Sequence, residues 1–266
     1  MHPIERLRYV ARAKGAPAEV LVEESAYALR AFGDDPAGLV AACRRIVDRQ
    51  LTCAPLWWLC ARMLCAPEPM AEARAALDDL GADPTARHLA GALPDAGSVV
   101  VVGTPDQSLG ALRRRGDLRL VLVDVDGGAA DAAHRLTTDG ADVDLVDPQA
   151  TGPALDGADL LLVDALAIGP THALVPAGAA PAAALARATG VDVWLVAGVG
   201  RLMPARMFDA LVSRWSGTVD PLAAAEELVP LAWCSRVAGV DGPLEPSAAL
   251  AATDCPVAPE LFRLVG

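Results

Sequence analysis

From residue 97 onward the chain alternates short apolar runs with helical segments, and few architectures accommodate that rhythm. The runs are Val99–Val102, Leu118–Val123, Val143–Val146, Leu160–Val163 and Val193–Val196. Segments with helical or loop character separate them, at 107–115, 128–138 and 178–189. Near-continuous apolar strands need cover on both faces, so the pattern predicts a parallel sheet between helical layers. In such a sheet ligands bind outside the carboxyl ends of the strands. Those ends are Gly103-Thr104, Asp124, Asp147, Asp164 and Gly198. Asp124 and Asp147 are expected to cap the turns that follow them, because Asp accepts backbone N–H bonds well. Asp164 differs. Gly169, Pro170, Pro176 and Gly178 hold off the next helix for about a dozen residues.

Before this alternation the pattern is helical. Residues 1–93 carry helical periodicity over about 2–13, 17–32, 36–50, 55–65, 68–80 and 84–92. Asp34-Asp35-Pro36 is a capped start with proline in the first turn, and Pro84 after Asp83 repeats it. Pro94-Asp95-Ala96-Gly97 reads as the hinge. The expected organisation is therefore an α/β protein: a helical N-terminal domain over 1–93, then a Rossmann-like domain over 97–266. A chain of 266 residues suits two such domains. The tail departs from the rhythm: "LVPLAWCSRV" reads as one more strand, and "DCPVAPELFRLVG" as a closing apolar helix or strand.

Charge and cysteine usage narrow the function classes. The net charge is −12 and Lys14 is the single lysine, so the chain repels phosphate backbones and nucleic acid is disfavoured as a partner. Arg113, Arg114 and Arg115 suit a solvated helix end. None of the six cysteines forms a CxxC pair, and the N-terminus lacks the apolar core of a secretory signal, so a reducing, cytoplasmic setting is expected. Cys60 and Cys65 in "PLWWLCARMLC" fall on an apolar helix face rather than at a metal, and no metal is expected. The charge-free run 165–186 could span a bilayer by length, but its prolines and His172 argue against a membrane partner. A dinucleotide fingerprint fails: after the first strand the chain reads Gly103-Thr104-Pro105-Asp106-Gln107-Ser108, with one of three glycines, so no cofactor is expected.

Four stretches in order carry a resemblance. They are "AKGAPAEVLVEESAYAL" (13–29), "GSVVVVGTPDQSLGALRRRG" (97–116), "GADLLLVDALAIGPTHALVPAGAAPAAALARATGVDVWLVAG" (157–198) and "DCPVAPELFRLVG" (254–266). Together the chain resembles the family of translation initiation factor 2B regulatory subunits, which also contains methylthioribose-1-phosphate isomerase and ribose-1,5-bisphosphate isomerase. The resemblance implies self-association through the C-terminal domain, and a small phosphorylated metabolite as partner. For the family's isomerases it implies a catalytic cysteine and aspartate that move protons in an aldose–ketose rearrangement. Asp164 matches the acid. Lys14, Gly15, Gly103, Thr104 and Gly178 are the substrate-binding positions the resemblance implies.

The departures bear on activity. The family's cysteine belongs in the turn after the first strand, where this chain has Gly103 and Thr104, and no cysteine occurs between Cys65 and Cys234. A threonine hydroxyl does not replace a thiol in acid–base chemistry at neutral pH unaided. The family's Asn-Lys-Ile-Gly-Thr appears as Val175-Pro176-Ala177-Gly178-Ala179, keeping only the glycine. Its Arg-Pro-Thr appears as Asp83-Pro84-Thr85, an acid in place of a cation, although Arg87 follows. Two functions are therefore expected to compete. One is an altered, oligomeric scaffold or metabolite-binding relative without catalysis. The other is a sugar-phosphate isomerase using Asp164 as acid/base.

Overall fold

The computed structural model describes residues 3–13 and 15–262. Six helices come first: α1 (Pro3–Arg12), α2 (Ala18–Leu29), α3 (Pro36–Arg49), α4 (Ala54–Cys65), α5 (Pro69–Gly81) and α6 (Thr85–Ala92). The alternating region follows as β1 (Ser98–Val102), α7 (Leu109–Leu112), β2 (Arg119–Val123), α8 (Ala129–Thr138), β3 (Asp142–Val146), α9 (Thr151–Leu155) and β4 (Leu160–Asp164). Next come β5 (Ala167–Ile168), β6 (His172–Pro176), α10 (Ala179–Thr189) and β7 (Asp192–Val196). The chain ends with α11 (Ala205–Ser216), β8 (Glu226–Pro230), β9 (Arg236–Gly239), β10 (Gly242–Leu244), α12 (Pro246–Ala251) and a 3-10 turn over Pro259–Phe262. None of the helices among the described residues is long and apolar enough to cross a membrane.

Two compact units result. One comprises 1–83, 199–220 and 253–266, the other 84–198 and 221–252. The expected break at 93–97 differs from this division. Helix α6 packs on α7, β9 and β10 and so joins the sheet unit, while the chain returns to the helical unit twice.

The helical unit is organised around α4. Its sequence is apolar all round, and Leu56, Trp57, Trp58, Leu59, Cys60 and Met63 are fully buried, as a helix without a polar face must be. Its polar exception is Arg62, which stacks 4.7 Å from the Trp58 ring and pairs with Glu72 and with Asp79 at 2.6 Å. The Trp58 indole donates to both oxygens of Asp254 at 3.0 Å, which ties the returning C-terminal segment to the helix. Arg214 of α11 makes a second tie, to Asp48 on α3 at 2.9 Å and to the Leu261 carbonyl. Asp35 caps α3 by accepting from the Gly38 amide at 2.9 Å, as the Asp-Asp-Pro signal predicted.

The other unit holds a seven-stranded sheet in the order β10-β9-β7-β4-β1-β2-β3, parallel except for β10. One face buries Val99, Val101, Leu120, Leu122, Leu160 and Leu162 against α6, α7 and α8. Each fully buried leucine contributes about 2 kcal/mol. Helix α10 packs against β4, β6 and β7. A second, antiparallel sheet runs β5-β6-β8. It contains the stretch after Asp164, where the sequence suggested an arm. The expected single strand "LVPLAWCSRV" is divided: β8 pairs with β6, residues 231–233 turn, and β9 joins β7 in the main sheet.

Candidate functional site

Strand β1 has β4 on one side and β2 on the other, so the strand order reverses at β1 and a crevice is expected at the carboxyl ends of β1 and β4. Gly103, Thr104 and Asp164 stand at those ends. The chain itself fills the place. Asp164 is 5% exposed, and its Oδ2 accepts from the amides of Gln107 at 2.6 Å and Ser108 at 3.1 Å. The Gln107 side chain reaches across in turn. Its Nε2 donates to the Ala165 carbonyl at 2.9 Å, and its Oε1 accepts from the Gly198 amide at 2.8 Å. The turn after β1 is thereby tied to the ends of both β4 and β7. One oxygen of this acid is thereby engaged by two backbone amides.

The neighbouring strand ends are similarly occupied. Thr104 Oγ1 donates to Asp126 at 3.0 Å, and Asp126 also accepts from the Gly128 amide at 3.0 Å. Asp124 accepts from Gly127 at 2.8 Å and Ala129 at 3.3 Å, the turn-capping role expected of it. Asp147 makes no such side-chain cap. Gly178 adopts φ +96°, and a Cβ there would lie 2.7 Å from Val125 Cγ1, so only glycine fits where α10 approaches the end of β2. Gly103, at φ +80°, would bring a Cβ to 3.3 Å from Pro176. The first turn of α10 has no free place for an anion at Ala180, because Glu227 of β8 accepts from that amide at 2.7 Å.

The structure thus brings Gly103, Thr104, Gly178 and Asp164 to one edge of the sheet. Gly15 belongs to the helical unit and is exposed, and Lys14 lies outside the described residues. Cys234 is at the opposite edge. Asp164 is level with Val196 at the end of β7, whereas Ser235, which follows Cys234, donates its amide to the Val193 carbonyl near the start of β7. Burial pushes the Cys234 thiol up to about 12. The arginine run is only partly solvated. Arg113 pairs with Asp139 at 2.5 Å, whereas Arg115 is largely buried and donates to the carbonyls of Ala90, Leu93 and Pro94. The sequence reading missed Gln107, Asp126 and Glu227. The signal for Gln107 was the polar turn left when the dinucleotide glycines are absent.

No protein-family model matches the chain, and no curated protein does. Solved structures do match. A translation initiation factor eIF-2B from Pyrococcus horikoshii OT3 superposes with a TM-score of 0.75 at 13% identity, over 93% of this chain and 98% of that one. The tetrameric eIF2B-beta2-delta2 complex from C. thermophilum matches at 0.74 and 13%, over 94% of this chain and 92% of that one. The 5-methylthioribose 1-phosphate isomerase of P. horikoshii OT3 matches at 0.64 and 17%, over 92% and 85%. The chain therefore has the fold of the eIF2B subunits and of that isomerase, as its sequence pattern suggested.

Proposed function

We propose that this chain is a catalytically silent, self-associating scaffold of the eIF2B fold, whose former ligand edge has become structure. The observation that carries the reading is the Asp164 carboxylate held by the Gln107 and Ser108 amides. A general acid/base must reach the proton it moves, and its hydrogen bonds must be exchangeable during turnover. Here Oδ2 is spent on two backbone donors. The absence of any cysteine between Cys65 and Cys234 supports the same reading. So does Glu227, which occupies the α10 amide that an anionic substrate would use. Self-association is supported by the likeness to subunits of a tetrameric complex.

The test combines turnover and assembly. Ribose 1-phosphate sugars, including 5-methylthioribose 1-phosphate, should show no aldose–ketose conversion, and light scattering at micromolar protein should give a dimer or larger species. Conversion that disappears in Asp164→Asn would establish the isomerase reading instead. A monomer would remove the scaffold reading. A panel of ribose phosphates and nucleoside monophosphates, followed by melting temperature, decides whether a phosphorylated metabolite is bound at all.

A further inference from the structure

Helices α2 and α5 of the helical unit pack against each other and enclose a groove of about 480 Å³. They run antiparallel. The turn that closes α2 meets the start of α5, where a Cβ on Gly33 would lie 3.4 Å from Met70 Cγ. At the other end Glu19, in the first turn of α2, shares the groove with Gly81, the last residue of α5. Tyr27, Leu77 and Leu80 form its apolar part. Tyr27 is 39% exposed, and its ring is backed by the Arg6 guanidinium at 5.1 Å, which Glu24 holds at 2.5 Å.

The charges in the groove are sorted by sign along it. Arg30 and Arg74 stand at the end where Gly33 meets Met70, and Glu19, Glu23 and Asp78 stand toward the other. All five are exposed, and among the described residues none has an ion-pair partner, although the adjacent Glu24, Glu72 and Asp79 are each paired with an arginine. Arg74 and Asp78 have the i, i+4 spacing that ordinarily pairs on a helix. Arg74 instead donates its Nε to the Met70 carbonyl of its own helix at 3.2 Å. On α2 an early acid and a late base suit the helix dipole. On α5 the order is reversed: Arg74 comes early and Asp78 falls in the last turn, where a carboxylate is disfavoured. Helix stability therefore does not account for the α5 charges, whose order instead matches that of α2 across the groove.

We propose that the α2–α5 groove binds short peptides with free ends. Glu19, Glu23 and Asp78 take the ammonium, Arg30 and Arg74 take the carboxylate, and an apolar central side chain lies on Tyr27 and Leu77. The spacing sets the length. Glu23 and Arg30 are separated by ~10 Å of helix rise and Arg74 and Asp78 by ~6 Å, and an extended tripeptide spans about 10 Å. A polyamine would set cations against the arginines, and a multiply charged anion would set its charges against the carboxylates. The site does not rest on the reading of Asp164.

Calorimetric titration with the tripeptide Ala-Leu-Ala, beside its N-acetylated and C-amidated forms, tests the proposal. The free peptide should bind with a Kd of about 0.1–1 mM. Blocking either end should weaken binding about tenfold, because each block removes one set of charge-assisted hydrogen bonds. Arg74→Glu should invert the preference at the basic end, so that the amidated peptide binds more tightly than the free one. Asp78→Lys should do the same for the acetylated peptide, and Asp164→Asn should change nothing. Because the substituted side chains are exposed, the fold is kept, and the comparison of the three peptides on the wild type stands without any variant. No binding of Ala-Leu-Ala up to about 10 mM, equal affinity for all three forms, tighter binding of spermidine than of the peptide, or an unchanged preference in Arg74→Glu would overturn the proposal.

Discussion

The backbone amide of Gln107 donates to the Asp164 carboxylate at 2.6 Å, and the Gln107 side chain then bonds the residue after Asp164. One turn is thus fastened to the end of β4 from both its main chain and its side chain. Asp164→Ala would leave two amides without their acceptor at a buried position, a loss of about 2–4 kcal/mol. Asp164→Asn keeps an oxygen acceptor and should lose about 1 kcal/mol. Urea denaturation separates the two variants. If Asp164→Ala unfolds at the wild-type midpoint, the carboxylate is not a structural clamp.

Gly178 gives a steric prediction. Its φ of +96° and the 2.7 Å approach of a would-be Cβ to Val125 Cγ1 act together. Gly178→Ala should lose about 2–3 kcal/mol, part from the left-handed backbone and part from the clash. Val125→Ala in the same chain relieves only the clash. The double variant should therefore be less destabilised than the two single losses added, a coupling that a double-mutant cycle reads directly. Simple additivity would show that Val125 does not limit this position.

Glu227 predicts a salt effect. Its carboxylate caps α10 through the Ala180 amide at 2.7 Å. Glu227→Ala should lose about 1 kcal/mol. Glu227→Gln keeps the acceptor and loses the charge–dipole attraction, a few tenths of that. The gap between Glu and Gln should narrow in 1 M salt, where exposed electrostatics are screened. A gap that does not respond to salt would mean the charge contributes nothing at this helix end.

The sequence made the strands legible because β1, β2, β4 and β7 are apolar runs of strand length bounded by turn residues. It identified the early helices because proline and aspartate punctuate their starts. The small sheet was not legible. β5 has two residues, and β6 is apolar without alternation, so nothing local distinguishes them from an irregular arm. The pairing of β6 with β8 joins residues fifty or more positions apart, which no window of sequence reports. The same holds for the site. Asp164 was conspicuous as an acid ending a core strand, but whether it faces a ligand or an amide depends on where the turn at Gln107 lies. That is set by the sheet order, not by either residue.

Alkaline stability follows from the buried thiols. Burial pushes Cys234 up to about 12, and burial reinforced by Asp254 does the same for Cys255. In the unfolded chain both thiols ionise near 8.5. Their folded values are raised, so the stability they contribute is fully present below about pH 8.5 and is lost as pH climbs toward 12. Each should remove roughly 1–2 kcal/mol between pH 8 and pH 10, at about 1.4 kcal/mol per unit once the unfolded thiol has ionised. The Cys53 and Cys60 thiols are raised as well and add to the same loss, against a background of one lysine and two tyrosines. Urea midpoints at the two pH values should therefore fall for the wild type, and fall less for the Cys234→Ala, Cys255→Ala double variant. A double variant with the wild-type slope would place the alkaline loss elsewhere.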